Sequence, residues 1–291
     1  DEDLCAASAT NPDWLPPILA GTDPIGQLRP AAAAACGLRS GLPVFAGAGD
    51  AAAGAVSIGA TLTDRAFLSL GTSGQLFLCT GDYRPRPEQL VHAFAHTLPG
   101  RHYQMACMLN GARPLAWYAG ILDCTVAALT ASAATADRAR APLFLPYLTG
   151  ERSPHGDPDI RAAFVGLEDA TGRAETAYAV MEAIAFSFAD AAQSFGDGLG
   201  RAPHLLAVGG GTRSDALLQL IADTTSRRIG RGAGAETGPA LGAALLAGVG
   251  VGLLPPEELE QTPPVDHWLD PVPGQDVLME RLARYRALYA A

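Results

Sequence analysis

Phe67-Leu68-Ser69-Leu70-Gly71-Thr72-Ser73-Gly74-Gln75-Leu76-Phe77-Leu78 reads as two short apolar runs joined by a tip of two glycines and two hydroxyl residues. Apolar, strand-forming residues on both sides of a short Gly-rich connection predict a β-hairpin. Glycines in the tip let backbone N–H groups converge on an anion with no Cβ in the way, and Thr72 and Ser73 add hydroxyl donors. An ordinary hairpin tip carries the same residues, so the stretch fixes architecture before it fixes chemistry.

On its C-terminal side, His92–Leu98 and His102–Leu109 form a second strand pair about the turn dipeptide Pro99-Gly100. In the latter strand Tyr103, Met105, Cys107 and Leu109 alternate onto one face. On the N-terminal side, the apolar run Leu42–Ala46 predicts a buried strand entering Gly47-Ala48-Gly49-Asp50. A helix follows over Ala51–Ile58, and a short one over Ala31–Cys36 ends at Gly37. Beyond residue 110 the chain turns helical. One helix holds Trp117 and Tyr118, another covers Val126–Ala141, and the clearest spans Glu175–Phe195. There Tyr178, Met181, Ala185, Phe188, Ala192 and Phe195 recur at helical steps before Gly196-Asp197-Gly198. A short strand, His204–Val208, enters Gly209-Gly210-Gly211, and a helix begins at Asp215 with Ser214 as its N-cap. Glu236-Thr237-Gly238-Pro239 starts a helix of small residues, the Pro-rich stretch 255–275 reads as irregular, and Asp276–Ala290 is a terminal helix. Hairpins alternating with helices indicate an α/β protein with a mixed sheet.

Composition narrows the function classes. With 48% apolar and 17% charged residues, 291 residues are enough for a large core, and 33 glycines with 22 prolines spread along the chain mark many tight turns. A net charge of −10 disfavours nucleic acid as a partner. The densest basic runs, Arg227-Arg228-Ile229-Gly230-Arg231 and Arg281–Arg286, are short and read as solvated faces. Five cysteines at wide, irregular spacing, with no C-x-x-C, fit reduced thiols in a cytoplasmic protein and give no metal motif. The uncharged run Gly238–Leu254 is 17 residues long, short of the roughly 20 a membrane span needs, and its glycines and alanines suit a close-packed core helix. No membrane association is expected.

Three Gly-rich turns each follow a strand. Gly209-Gly210-Gly211 permits very close approach of a flat ligand, and no Lys-Ser/Thr pair follows that would make it a Walker loop. Gly47-Ala48-Gly49-Asp50-Ala51-Ala52-Ala53-Gly54 has the wrong spacing for a dinucleotide fingerprint, which disfavours a dehydrogenase. A carboxylate among only Gly and Ala at a strand end reads as a general base in an open cleft, or as a helix N-cap.

Together these stretches resemble the FGGY carbohydrate kinases. That family carries, in order, a G-G-G/A-D-x-A-A-G-A-V segment, an S-L-G-T-S-G hairpin, a P-Y-L-x-G-E-R-x-P-H loop, a G-G-G-x-R-S turn and a G-P-A-L-G-A-A helix. They stand here as Gly47–Val56, Ser69–Gly74, Pro146–His155, Gly209–Ser214 and Gly238–Ala244. The stretch from Val91 to Trp117 is most like the xylulokinase branch. Ala51, where Asn or Gln is common, and Thr176, where an aliphatic residue is usual, depart from the pattern without removing a reacting group.

The resemblance implies an actin-like ATPase, ribonuclease H-like fold, a mixed sheet flanked by helices, in two lobes with the active site between them. Residues 1–63 would be the tail of the N-terminal lobe, carrying the catalytic Asp50, and residues 64–291 the C-terminal, nucleotide-binding lobe. The family's first phosphate hairpin and its Met-His-Gly-Gln segment do not occur, so the chain is expected to be a piece of a larger protein and weakly active or inactive alone. The implied reaction is ATP-dependent phosphorylation of a ketose, D-xylulose above other sugars and polyols such as gluconate, ribulose or glycerol. Asp50 would be the base. Gly71, Thr72, Ser73 and Gly74 would hold phosphates, with backbone N–H groups at Gly71 and Thr72 foremost. Gly210, Gly211 and Asp215 would line the adenosine pocket. Mg²⁺ would ride with ATP, with no metal ligand assigned to this chain. Partners reduce to the sugar, with a homodimer among the arrangements allowed. The rival reading is a non-catalytic nucleotide-binding module of the actin-like superfamily.

Overall fold

The computed structural model of the chain describes residues 1–232 and 238–289. In chain order its helices and strands are α1 (Glu2–Ala7), β1 (Pro24–Gln27), α2 (Pro30–Cys36), β2 (Pro43–Phe45), α3 (Asp50–Ser57), β3 (Ala66–Leu70), β4 (Gly74–Thr80), β5 (His92–Ala95), β6 (His102–Met108), α4 (Arg113–Ile121), α5 (Val126–Ala133), β7 (Leu143–Leu145), β8 (Ala163–Val165), α6 (Arg173–Ser194), β9 (Leu205–Val208), α7 (Asp215–Thr225), β10 (Ile229–Gly232), α8 (Gly238–Gly250), β11 (Val265–Leu269) and α9 (Asp276–Tyr289). The main sheet runs β11-β10-β9-β3-β4-β6-β5. Its centre is parallel at β3-β9 and β9-β10, and its other pairs are antiparallel.

Strand alternation divides the apolar side chains between two layers. Ala66, Leu68, Leu70, Leu76, Leu78 and Met108 face the large core with α4 to α7 and α9, whereas Phe67, Phe77, Cys79 and Tyr103 face α3. Helix α8 lies outside α3, meeting it through Val56 and Leu246. At their crossing a Cβ on Gly242 would overlap the carbonyl of Ala53. Gly242→Ala is therefore expected to destabilise the fold by about 1–3 kcal/mol, the usual cost of overpacking, read from the midpoint of urea unfolding. An unchanged midpoint would mean that the two helices do not pack backbone to backbone.

The hairpins, α2, α6, α7 and the Ser214 N-cap stand where the sequence places them. Ser214 Oγ accepts the Leu217 N–H at 3.3 Å. Cys5, Cys79 and Cys107 are buried thiols, Cys124 is half-buried and Cys36 exposed.

Several readings need correction. β2 is exposed to half-buried, because it pairs only with β1 in a separate ribbon. The Val126–Ala141 helix stops at Ala133. Helix α8 buries only Gly242 and Leu246, so it is a surface helix and not a core one. No single helix among the described residues is long and apolar enough to cross a membrane. The Glu236-Thr237 helix start and Ala290 lie outside the described residues.

The basic runs are also more than solvated faces. Ile229–Gly232 is strand β10, and part of the stretch read as irregular is its antiparallel neighbour β11. Arg228 pairs with Asp270 at 3.1 Å and lies over the Trp268 ring at 4.3 Å. Arg281 is buried. Its Nε and Nη2 meet both oxygens of Glu182 at 2.7 and 2.6 Å, and it donates to Ala141 O and Pro142 O at 2.8 and 3.0 Å. Helix α6 is thus enclosed almost all round, and its buried carboxylates, Glu182 and Asp190, are met by Arg281 and Arg286 of α9.

Candidate active site

Asp50 owes its position to the turn before it. The chain leaves β2 through Gly47, whose φ of +71° suits glycine. The Gly47 carbonyl accepts from Thr97 Oγ1 at 3.0 Å, and its N–H donates to Gly21 O at 3.0 Å. Gly49 is the N-cap of α3, so Asp50 is the first helical residue and not the cap. Its exposed carboxylate accepts the Ala51 N–H at 2.8 Å. The helix is anchored behind it by buried Ala51, Ala52, Ala53, Ala55 and Val56.

Asp50 lines a cavity of about 220 Å³ together with Ser69, Gln75, Gly209 and Gly238. Ser69 and Gln75 are cross-strand partners in the hairpin, two pairs nearer the tip than the buried Phe67–Phe77 pair and so on the same face. They were missed as site residues. Their signal was a polar pair placed symmetrically about the tip where apolar alternation should continue. Gly54 also lines this cavity, and a Cβ there would meet nothing within 4 Å, so its glycine leaves open room beside Asp50.

The Gly71–Gly74 tip rests on the turn that begins α4. Gly71 O accepts from Ala112 N at 2.7 Å, and Thr72 O accepts from Gly111 N at 3.1 Å and Arg113 N at 3.3 Å. A Cβ on Gly111 would meet Gly74 N at 2.6 Å, so only glycine lets this turn approach the tip. The Gly71 N–H, expected to meet phosphate, donates to Ser73 O at 3.1 Å in this structure. The N–H groups of Thr72 and Ser73, both exposed residues, have no backbone acceptor among the described residues. Gly74 is buried under the tip, where a Cβ would come within 2.8 Å of Met108 Cε and 3.1 Å of the Phe188 ring. Its small size serves packing.

A second cavity, about 380 Å³, opens beyond the tip. Gly210, Gly211, Ser214, Ala112, Leu115 and Thr130 are among its lining residues. Gly209, with φ +97°, and Gly211 press on Leu70, whereas a Cβ on Gly210 would meet nothing within 4 Å and would project into open space. Asp215 stands apart from this wall. Its carboxylate pairs with Arg231 Nη1, and His267 lies 3.9 Å from it. Asp215, expected at the adenosine pocket, here ties α7 to β10 through Arg231. Ser214, the cap, takes the wall position, a difference of one residue that the helix start decides.

The site has three parts: a carboxylate in the first cavity, a hairpin tip with two N–H groups that meet no backbone acceptor among the described residues, and a larger second cavity lined in part by Gly210 and Gly211. This arrangement suits a ligand with a reacting end, a polyanionic middle and a flat ring. No group of three or more His, Cys, Asp or Glu side chains placed to share a metal ion occurs among the described residues.

Comparison with known proteins bears on this arrangement. The model of the FGGY family of carbohydrate kinases, C-terminal domain, matches residues 66–251. A xylulose kinase of Klebsiella pneumoniae is 40% identical over 269 residues, 89% of this chain and 55% of its own length. Among solved structures, a xyloylose kinase from Brucella ovis superposes with a TM-score of 0.89 at 35% identity, covering 100% of this chain and 60% of that one. A gluconate kinase from Lactobacillus acidophilus gives a TM-score of 0.89 at 26% identity, covering 99% and 59%. The chain spans about half the length of the curated relatives it matches.

Proposed function

Because the chain belongs to the FGGY family of carbohydrate kinases, we propose that it forms the C-terminal portion of an enzyme that transfers the γ-phosphoryl group of ATP to a primary hydroxyl of a sugar, D-xylulose giving D-xylulose 5-phosphate. Its fold is the actin-like ATPase fold of those kinases, with the ribonuclease H-like order β6-β4-β3-β9-β10 at the centre of the sheet. The observation that carries the reading is that Asp50 and Gly209 line one cavity together with Ser69 and Gln75 of the hairpin below the Gly71–Gly74 tip.

In this reading Asp50 accepts the sugar hydroxyl proton as that oxygen bonds to the γ-phosphorus and the bond to the bridging oxygen of ADP breaks. The Thr72 and Ser73 N–H groups and hydroxyls hold phosphate oxygens, and Gly210 and Gly211 admit the adenosine to the second cavity. Mg²⁺ bound to the phosphates would neutralise charge there, and no ligand for it is assigned to this chain. The division at residues 63 and 64 into a lobe tail bearing Asp50 and a nucleotide-binding lobe, a cytoplasmic location and a homodimer rest on the family resemblance. The 291 residues alone would phosphorylate poorly, since a carboxylate without the rest of the sugar-holding cleft lacks the proximity that transfer requires.

The test is sugar-dependent ADP release by the complete protein against D-xylulose, D-ribulose, gluconate and glycerol. D-xylulose is expected to give the highest kcat/KM. A preference for gluconate would revise the sugar alone, which is a real alternative given the equal superposition on xylulose and gluconate kinases. Nucleotide binding without ADP release for any sugar would replace the enzyme by the non-catalytic module.

A further inference from the structure

We propose that Glu151 positions the Gly71–Gly74 tip: its buried carboxylate fixes the 109–113 turn from which the tip hangs. The role rests on reading that tip as the cradle for nucleotide phosphates. Glu151 is 3% exposed. Its Oε1 accepts the N–H groups of Leu109 at 2.5 Å and Arg152 at 2.8 Å, and its Oε2 accepts from Asn110 Nδ2 at 3.2 Å. Asn110 Nδ2 also donates to Gly150 O at 2.8 Å. The carboxylate thus closes a ring between the 150–152 loop and the 109–110 segment, some forty residues apart in sequence.

The next residues, Gly111, Ala112 and Arg113, give their N–H groups to the carbonyls of Gly71 and Thr72. With those carbonyls held by the turn, the tip that carries the Thr72 and Ser73 N–H groups is fixed in place. Among the described residues no other side-chain acceptor reaches the Leu109 N–H, so the orientation of the turn depends on one buried group. Burying a carboxylate is costly unless hydrogen bonds compensate, and here the compensation is spent on backbone that carries no reacting group itself. An apolar residue at 151 would spare the desolvation cost, yet it would leave the Leu109 and Arg152 donors unsatisfied.

A Gln at 151 keeps one acceptor oxygen for the two backbone donors and sets its amide against Asn110 Nδ2. Asn110 Oδ1 has no hydrogen-bond partner among the described residues, so rotating the Asn110 amide would accept the new donor at the expense of Gly150 O. Glu151→Gln therefore retains most of the clasp, and Glu151→Ala removes it.

The experiment compares E151A and E151Q with the parent in the complete protein. E151A is expected to lower kcat/KM for ATP by at least about tenfold, the low end of the effect of orphaning buried donors. KM for the sugar should stay within about twofold, and E151Q should recover most of the loss. Amide exchange should quicken in peptides covering 71–74 and 109–113 in E151A and stay unchanged in α6 and α7. Unchanged kcat/KM for ATP, or a sugar KM that rises as much as the ATP KM, would overturn the proposal. A parent protein without sugar-dependent ADP release would instead sink the kinase reading. The exchange comparison would then decide the role of Glu151 by itself, with equal exchange at 109–113 overturning it.

Discussion

Asp50→Asn in the complete protein is expected to lower kcat by about 10²–10⁴-fold, the contribution of a positioned general base, while the Kd for ADP stays within about twofold. The substitution is isosteric, and its amide oxygen can still accept the Ala51 N–H that the carboxylate accepts at 2.8 Å. The side chain is exposed and makes no other hydrogen bond among the described residues, so the variant should unfold at the parent's denaturant midpoint. Binding should survive because the second cavity and the tip lie on other elements, β3, β4, α4 and the turn before α7. What is lost is the acceptor for the sugar proton at the moment its oxygen bonds to phosphorus. Turnover within about fivefold of the parent would remove Asp50 from the mechanism, and another acceptor in that cavity would have to be sought.

The second large effect is on stability. Arg281→Met is expected to cost about 3–5 kcal/mol, the penalty for leaving one member of a buried ion pair uncompensated. Burial by itself would lower the Arg281 pKa, and the Glu182 carboxylate more than reverses this, raising it. Burial pushes Glu182 toward its neutral form against the two-pronged bond from Arg281, and the planar fork meeting both oxygens is the geometry of an ionised pair. Removing the arginine also orphans the carbonyls of Ala141 and Pro142. Urea unfolding of this chain measures the loss, and Glu182→Gln in the same background should recover part of it.

The pH dependence of that variant has a fixed sign. With its partner gone, the Glu182 pKa rises further above its unfolded value. The folded state then binds more protons than the unfolded one, so the defect shrinks as pH falls and grows as pH rises through the folded-state pKa. A defect below about 1 kcal/mol at neutral pH would show that the pair is not holding α9 against α6.

Much of this was legible in the sequence because the signals are local. A tip of Gly and hydroxyl residues between apolar runs makes a hairpin wherever it stands, and a strand that ends in Gly47-Ala48-Gly49 before alanines makes a helix start. Helix α6 was readable from its period, although its enclosure on all sides was not: that depends on which elements cover it. β10 and β11 escaped because Ile-Gly-Arg-Gly and Val-Asp-His-Trp-Leu carry little strand signal by themselves. The open edge of β9 makes β10 a strand, and β10 in turn offers its other edge to β11.

The sequence by itself determined the family, the class of fold and the residue types of the glycine-rich turns at the candidate site, since glycine conformations and side-chain periodicity act within a few bonds of where they are written. Tertiary structure alone decided that Gly71 spends its N–H on Ser73, that Ser214 and not Asp215 faces the second cavity, and that a carboxylate at 151 braces a turn near 110. Hydrogen bonds have direction and short reach. Which donor is left free can be known only once the chain has brought distant acceptors within about 3 Å of it.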